Sequence, residues 1–128
     1  MSLSLEKMVS GPVKDIYALV NGDRCETRKY LEELADNPRE AMMANLQRMA
    51  DTGWAGQGDN RIGHLRGSEI ACEFKEHKTG SRLMFFMHGK RVVVCTHGGP
   101  HPGRPEYRAL VRKVERLRED CLREGILP

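Results

Sequence analysis

Three apolar runs divided by turn residues constrain the fold more than any other part of the sequence. The runs occupy residues 70–75, 82–87 and 90–97. A polar break at 76–81 separates the first two, and His88-Gly89 separates the last two. Short apolar runs joined by such turns predict an antiparallel meander of three strands.

Strand geometry assigns the charged residues of this meander to one face. Side chains on a strand point alternately to opposite faces, so Glu73 and Lys75 lie together. Arg82 opens the next run and joins them if helices cover the opposite face of the sheet. The sequence therefore predicts an uncovered face that carries Glu73, Lys75 and Arg82, with His97 at the end of the third strand.

These residue types suit the cleavage of an RNA phosphodiester by its own 2′-OH. The reaction needs a base for the hydroxyl, an acid for the leaving oxygen and cations against the charge that grows on phosphorus. Glu73 or His97 could be the base, His97 or His101 the acid, and Lys75 and Arg82 the phosphate ligands. An ordinary cross-strand salt bridge from Glu73 to Lys75 or Arg82 explains the same pattern without catalysis.

The rest of the chain predicts one domain at 13–128 behind an N-terminal extension at 1–12. The remaining predicted elements are an edge strand at 13–20, helices at 27–35 and 38–51, a Gly-rich loop at 54–63 and a final amphipathic helix at 106–124. Asn37 is the expected N-cap of the second helix, with Pro38 as its first residue and Gly53 at its end.

Charge is unevenly distributed along the chain. Residues 1–60 hold seven basic and ten acidic residues, whereas residues 61–128 hold fourteen basic and eight acidic ones. The basic half contains the predicted meander, so a nucleic-acid backbone is a plausible partner there, although a solvated surface gives the same asymmetry.

Other sequence signals concern location and redox state. No apolar run approaches the roughly 20 residues that a membrane helix needs, and the first residues lack the pattern of a signal peptide. We therefore expect a cytoplasmic protein that does not contact the membrane. Its four cysteines are far apart in sequence and are expected to be reduced and structural.

Several short motifs resemble the RelE/HigB-like toxins of bacterial toxin-antitoxin systems, including their phage-derived relatives. The resemblance spans about residues 16–120 and is densest from His64 onward. The motifs that carry it are Tyr30-Leu31-Glu32-Glu33-Leu34, His64-Leu65-Arg66-Gly67, the runs at 70–75 and 82–90, and Arg104-Pro105-Glu106-Tyr107. Each motif is degenerate, but their order and spacing together are fairly specific.

The resemblance implies an α+β fold in which two N-terminal helices pack on an antiparallel, mostly four-stranded sheet, followed by a C-terminal helix. It implies metal-independent cleavage of mRNA, usually on the ribosome, and neutralisation by a cognate antitoxin protein. The basic position on the first meander strand is Lys75, its acidic neighbour is Glu73, and Arg82 and His97 match later positions. Further basic residues expected to bind RNA are Arg66, Lys90, Arg91 and Arg104.

The chain departs from the family between its last strand and last helix. Many members have a phenylalanine followed by a lysine pair, whereas this chain has Gly99-Pro100-His101-Pro102-Gly103. His101 could replace a lost general acid, or the chain could be a non-catalytic binding or phage accessory protein of the same fold.

Another alternative is a metal site made from Cys95, His97 and His101, with Cys72 as a fourth ligand, although this spacing is unlike that of structural zinc sites.

Overall fold

A computed structural model describes residues 2–54 and 61–128, and for Arg104 only the backbone. The elements in chain order are β1 (Leu3–Ser10), β2 (Asp15–Asn21), α1 (Glu26–Glu33), α2 (Asp36–Thr52), β3 (Ile62–His64), β4 (Cys72–Lys75), β5 (Arg82–His88), β6 (Val92–Gly99) and α3 (Arg104–Glu124). Of the predicted loop at 54–63, residues 55–60 lie outside the described residues.

The strands form one six-stranded mixed sheet in the order β1-β2-β6-β5-β4-β3. The prediction of two N-terminal helices on an antiparallel, mostly four-stranded sheet is therefore wrong. Two strands precede the helices, and β2 runs parallel to β6 while every other described pair is antiparallel. The β2–β6 pairing joins distant parts of the chain, and no local pattern in the sequence encodes it.

The predicted meander is confirmed as β4, β5 and β6. Lys75 pairs with Arg82 across the first hairpin, and His88 pairs with Val92 across the second. Gly89 adopts a φ of 62° in the second turn, a conformation that glycine takes without steric cost. A bulge between Met84 and Phe85 leaves Thr96 as an extra residue on β6.

The segment predicted as an extension is an edge strand, and the predicted edge strand lies inside the sheet. β1 pairs with β2 over its whole length, with a bulge between Lys7 and Val9. Leu3 packs on one side of the sheet and Val9 on the other because the bulge reverses the alternation of side chains. This reversal removes the simple two-residue period by which a strand is recognised.

Helix ends follow local chemistry, with one correction. The backbone N–H of Arg28 donates to Cys25 Sγ at the start of α1. Gly53 follows the last residue of α2 with a φ of 74°, and its predicted position at the end of this helix is confirmed. α2 begins at Asp36, two residues before the predicted start, so Asn37 is not its N-cap. Pro38 is tolerated in the first turn because the N–H groups there have no partner within the helix.

Helices cover both faces of the sheet. On one face α2 contributes Met42, Leu46 and Met49 to a core that includes the stacked rings of Phe74 and Phe85, with centroids 4.2 Å apart. On the other face α3 buries a second set of residues: Leu3, Leu19, Leu65, Ala71, Met84, Phe86, Val92, Val94, Val114 and Cys121. A fully buried side chain of this size contributes about 1.5–3 kcal/mol, so both layers stabilise the sheet.

Candidate functional site

Three charged side chains of β4 and β5 share one face of the sheet. Cys72 and Phe74 belong to the core beneath α2, so the alternating Glu73 and Lys75 point to the opposite face. Arg82 pairs directly with Lys75 and lies on that face too. The predicted grouping is present, but the face is not uncovered, because α3 lies across it.

Glu73 and Arg82 form a buried ion pair. Their exposed fractions are 3% and 8%, and Glu73 Oε1 lies 3.2 Å from Arg82 Nε. The two atoms are close but not aligned as a hydrogen bond, and neither has another hydrogen-bond partner among the described residues. Burial raises the pKa of Glu73, while the charges of Arg82, Lys75 and His101 act in the opposite direction.

A cleft of about 960 Å³ opens beside this pair, between the sheet and the first half of α3. Its lining residues are His64, Arg66, Gly67, Glu73, Lys75, Tyr107, Arg108, Val111, Arg112 and Glu115. Gly63 lies opposite Glu73 on β3, and a Cβ built there would meet nothing within 4 Å. The absence of a side chain at Gly63 therefore keeps the space beside Glu73 open.

The cleft carries more positive than negative charge on its walls. The guanidinium groups of Arg66, Arg108 and Arg112 have no ion pair or hydrogen bond within the described part of the chain. Glu115 is engaged elsewhere, because its Oε2 accepts a hydrogen bond of 2.9 Å from Ser68 Oγ. Unpaired guanidinium groups beside a buried carboxylate favour an anionic ligand such as a phosphate.

The sequence indicates the contribution of α3 to this cleft only weakly. Tyr107 belongs to the apolar stripe of this helix and to the motif at 104–107. The basic face with Arg108 and Arg112 could contact phosphate, but its alternation with acidic residues is typical of an ordinary solvated face. The structure turns the first two turns of α3 toward β4, where Tyr107 offers an aromatic ring to the cleft. The four-residue spacing of the arginines was the available signal, since residues so spaced share a helix face.

Glu76 holds the turn between β4 and β5 together. In the sequence it is one residue of the polar break at 76–81, and nothing there distinguishes it from its neighbours. Its carboxylate accepts hydrogen bonds from the backbone N–H groups of Lys78, Thr79 and Ser81 and from both hydroxyls of Thr79 and Ser81. Burial acts to raise its pKa, but these hydrogen bonds outweigh burial and lower the pKa to about 2. The turn therefore fixes the position of Ser81, the residue immediately before Arg82.

His101 lies at the same end of the sheet as Arg82. Gly99 pairs with Arg82, and the chain then turns so that His101 Cβ lies 3.8 Å from the position of a Cβ on Gly80. The ring is close enough to act electrostatically on Glu73. Its Nδ1–H donates to the carbonyl of Pro102 at 2.9 Å, which leaves Nε2 for another partner.

His97 is separated from this group. Met84 lies between His97 on β6 and Glu73 on β4, so the two side chains are two strands apart, or about 10 Å. Burial and the charge of Lys113 lower the pKa of His97 to about 4, against the opposing effect of Glu26. A neutral imidazole that is 7% exposed beneath α3 is poorly placed to exchange protons with a ligand.

The structure also separates two of the predicted RNA-binding residues from the cleft. Lys90 and Arg91 follow β5, whose length puts them about 20 Å from Arg82. Arg91 instead donates hydrogen bonds to the carbonyls of Pro12 and Gly11 at 2.9 and 3.0 Å. Arg66 lines the cleft, whereas the side chain of Arg104 lies outside the described residues.

The cysteine and histidine residues considered for a metal site do not converge. Cys72 and Cys95 lie in the core beneath α2, while His97 points to the opposite face with Met84. Across residues 2–54 and 61–128, no three side chains of His, Cys, Asp or Glu are grouped so that they could hold a metal ion. All four cysteines are free thiols, and three of them are buried.

Two further findings do not concern the cleft itself. Within the described ranges, no helix is both long enough and apolar enough to cross a membrane. None of the protein-family models, curated proteins or solved structures compared with the chain matches it.

Proposed function

We propose that this protein is a metal-independent endoribonuclease that cleaves single-stranded RNA in the cleft beside Glu73. The observation that carries the proposal is a buried carboxylate of raised pKa that faces a cleft lined with guanidinium groups for which the described residues provide no partner. A general base works best when its pKa approaches the working pH, and burial moves Glu73 in that direction.

The residues take distinct roles in the proposed reaction. Glu73 removes the proton of a 2′-OH, whose oxygen attacks the adjacent phosphorus. The bond from phosphorus to the 5′ oxygen breaks, and His101 gives a proton to that oxygen, so the products are a 2′,3′-cyclic phosphate and a 5′-OH. Lys75 and Arg66 balance the charge that grows on the phosphate oxygens.

Arg82 is a positioning residue in this scheme. It does not line the cleft, and its guanidinium orients Glu73 while opposing the rise in its pKa. Tyr107 provides a surface on which a base can stack, an interaction worth about 1–3 kcal/mol. His97, Lys90 and Arg91, which lie apart from the cleft, have no part in the chemistry.

The resemblance to the RelE/HigB-like toxins narrows the proposal further. It supports mRNA as the RNA, the ribosome as the place of cleavage, a cognate antitoxin as a protein partner and the cytoplasm as the compartment. The motifs at 64–67 and 70–75 support this reading most directly, because they contain Arg66, Glu73 and Lys75.

Replacement of the base tests the proposal. We expect Glu73→Gln to lower the cleavage rate of a labelled single-stranded RNA at least 100-fold, since general base catalysis typically contributes about 10²–10⁴-fold. Binding of the RNA should remain within about threefold, because the amide keeps the volume of the carboxylate. Cleavage is followed by gel electrophoresis of the products, with EDTA present to exclude metal-dependent contaminants.

Two matched variants control for folding and for the choice of residue. Glu69→Gln changes an exposed glutamate outside the cleft lining, and His97→Gln changes the separated histidine. Both should cleave at nearly the wild-type rate. If the wild type binds RNA without cleaving it, even in a translating extract, the protein is a binding protein and the nuclease proposal is wrong.

A further inference from the structure

A row of arginines continues from the cleft along α3. Arg108, Arg112 and Arg116 are four residues apart and all three are exposed. Residues at this spacing lie on one helix face, each about 6 Å further along the axis than the one before. Arg108 and Arg112 line the cleft, and Arg116 lies one turn beyond it.

The structure shows why this row is not neutralised along its length. Glu115, three residues after Arg112, accepts the hydroxyl of Ser68, which also accepts the backbone N–H groups of Ile70 and Ala71 at 3.1 and 2.9 Å. Glu115 therefore anchors the loop before β4 instead of pairing with an arginine. No ion pair of Arg108, Arg112 or Arg116 is found among the described residues.

We infer that Arg108, Arg112 and Arg116 form a phosphate track that binds the RNA strand on one side of the cleavage point. The inference rests on the proposed function, since that function supplies the strand in the cleft. The rise between successive arginines is similar to the separation of successive phosphates in a nucleic-acid strand. Each guanidinium can therefore contact a different phosphate, and the contacts are independent of base sequence.

The inference predicts that the length of the RNA decides whether Arg116 matters. The probes are fluorescein-labelled 2′-O-methyl RNAs of three and nine nucleotides, which lack the attacking hydroxyl and so cannot be cleaved. We expect Arg116→Glu to weaken binding of the nine-nucleotide probe at least tenfold and to change binding of the three-nucleotide probe less than twofold. Fluorescence anisotropy measures both affinities.

Salt dependence and a matched charge reversal complete the test. For the longer probe, the slope of log affinity against log salt should become less steep by about 0.7 for each phosphate that the variant no longer neutralises. Lys90→Glu makes the same change of charge at the far end of the sheet and should leave both affinities unchanged. Equal weakening for both probes, equal weakening in both variants, or no weakening at all would overturn the inference.

The same titrations separate the failure of the track from the failure of the nuclease. If binding depends on RNA length but unmodified RNA is not cleaved, the phosphate track is supported and the nuclease proposal is wrong. If RNA is cleaved but Arg116→Glu does not change binding, the nuclease proposal is supported and the phosphate track is wrong. Competition by poly-L-glutamate as effective as that by RNA would assign the row to an acidic polypeptide and overturn the inference.

Discussion

Glu73 and Glu76 are close in sequence, but their pKa values are shifted in opposite directions. Glu73 faces one guanidinium without an aligned hydrogen bond, so burial dominates and its pKa rises. Glu76 has similarly little solvent exposure but accepts hydrogen bonds from three backbone N–H groups and two hydroxyls, which lower its pKa to about 2. The first carboxylate is suited to proton transfer, and the second to holding a turn.

The turn residue provides a test by stability. We expect Glu76→Ala to lower the free energy of unfolding by about 2–4 kcal/mol at pH 7, because buried donors lose their acceptor. Urea denaturation followed by the fluorescence of Trp54 measures the effect. Glu69→Ala removes an exposed glutamate and should change the free energy by less than about 0.5 kcal/mol.

The pH dependence of this effect has a defined sign. A carboxyl whose pKa is lowered in the folded state stabilises the protein above its unfolded value, here 4.5, and loses this contribution as pH falls toward 2. The difference between wild type and Glu76→Ala should therefore shrink from pH 5 to pH 3. A constant difference would show that the charge of Glu76 does not stabilise the turn.

For single residues, the alternation of side chains along a strand predicted which face of the sheet each one lies on. Alternation along β4 and β5 was enough to place Glu73, Lys75 and Arg82 on one face. The burial of His97 depends on where α3 packs, and the role of Glu76 depends on hydrogen bonds to a turn of unknown shape. Neither property follows from a residue and its neighbours alone.

Among the elements, α1 contacts the sheet through a glycine. A Cβ on Gly98 of β6 would lie 2.3 Å from Cγ of Tyr30, which is closer than atoms can approach. Tyr30 in turn shares a hydrogen bond of 2.6 Å with Ser81, at the turn held by Glu76. The close packing of α1 thus supports the end of the sheet at which Arg82 and His101 lie.

This packing predicts a difference between neighbouring glycines. Gly98→Ala should lower the free energy of unfolding by about 1–3 kcal/mol, because overpacking displaces the ring of Tyr30. Gly99→Ala should have little effect, since a Cβ there meets nothing within 4 Å. Urea denaturation of both variants checks the expectation, and equal stability would contradict the packing of α1 on β6.

Elements with a regular period were predictable, and those with an interrupted period were not. The apolar stripe of α3 and the three runs of the meander indicated their positions to within a few residues. β1 was missed because its bulge changes the face of its apolar residues between Leu5 and Val9. Its burial also depends on partners from both helical layers.

For the whole molecule, β1 is part of the folded unit and not an appendage. Leu3 is 5% exposed in the core beneath α3, whereas Val13, in the turn after β1, is 38% exposed. We expect Leu3→Ala to lower the free energy of unfolding by about 2 kcal/mol or more. Val13→Ala should lower it much less, and equal small effects would mean that residues 1–12 are indeed an extension. Urea denaturation again provides the measurement.

The parallel pairing of β2 with β6 has a consequence for how the chain folds. Each of the other four ladders joins strands that are neighbours in the sequence, so their ends meet by closing short loops. Only this ladder, among the described strands, must bring Asp15 to Val92 across both N-terminal helices and the meander. The entropy of loop closure is therefore concentrated at one seam. Glu73, Lys75 and Arg82 lie outside that seam, within a hairpin whose contacts are local.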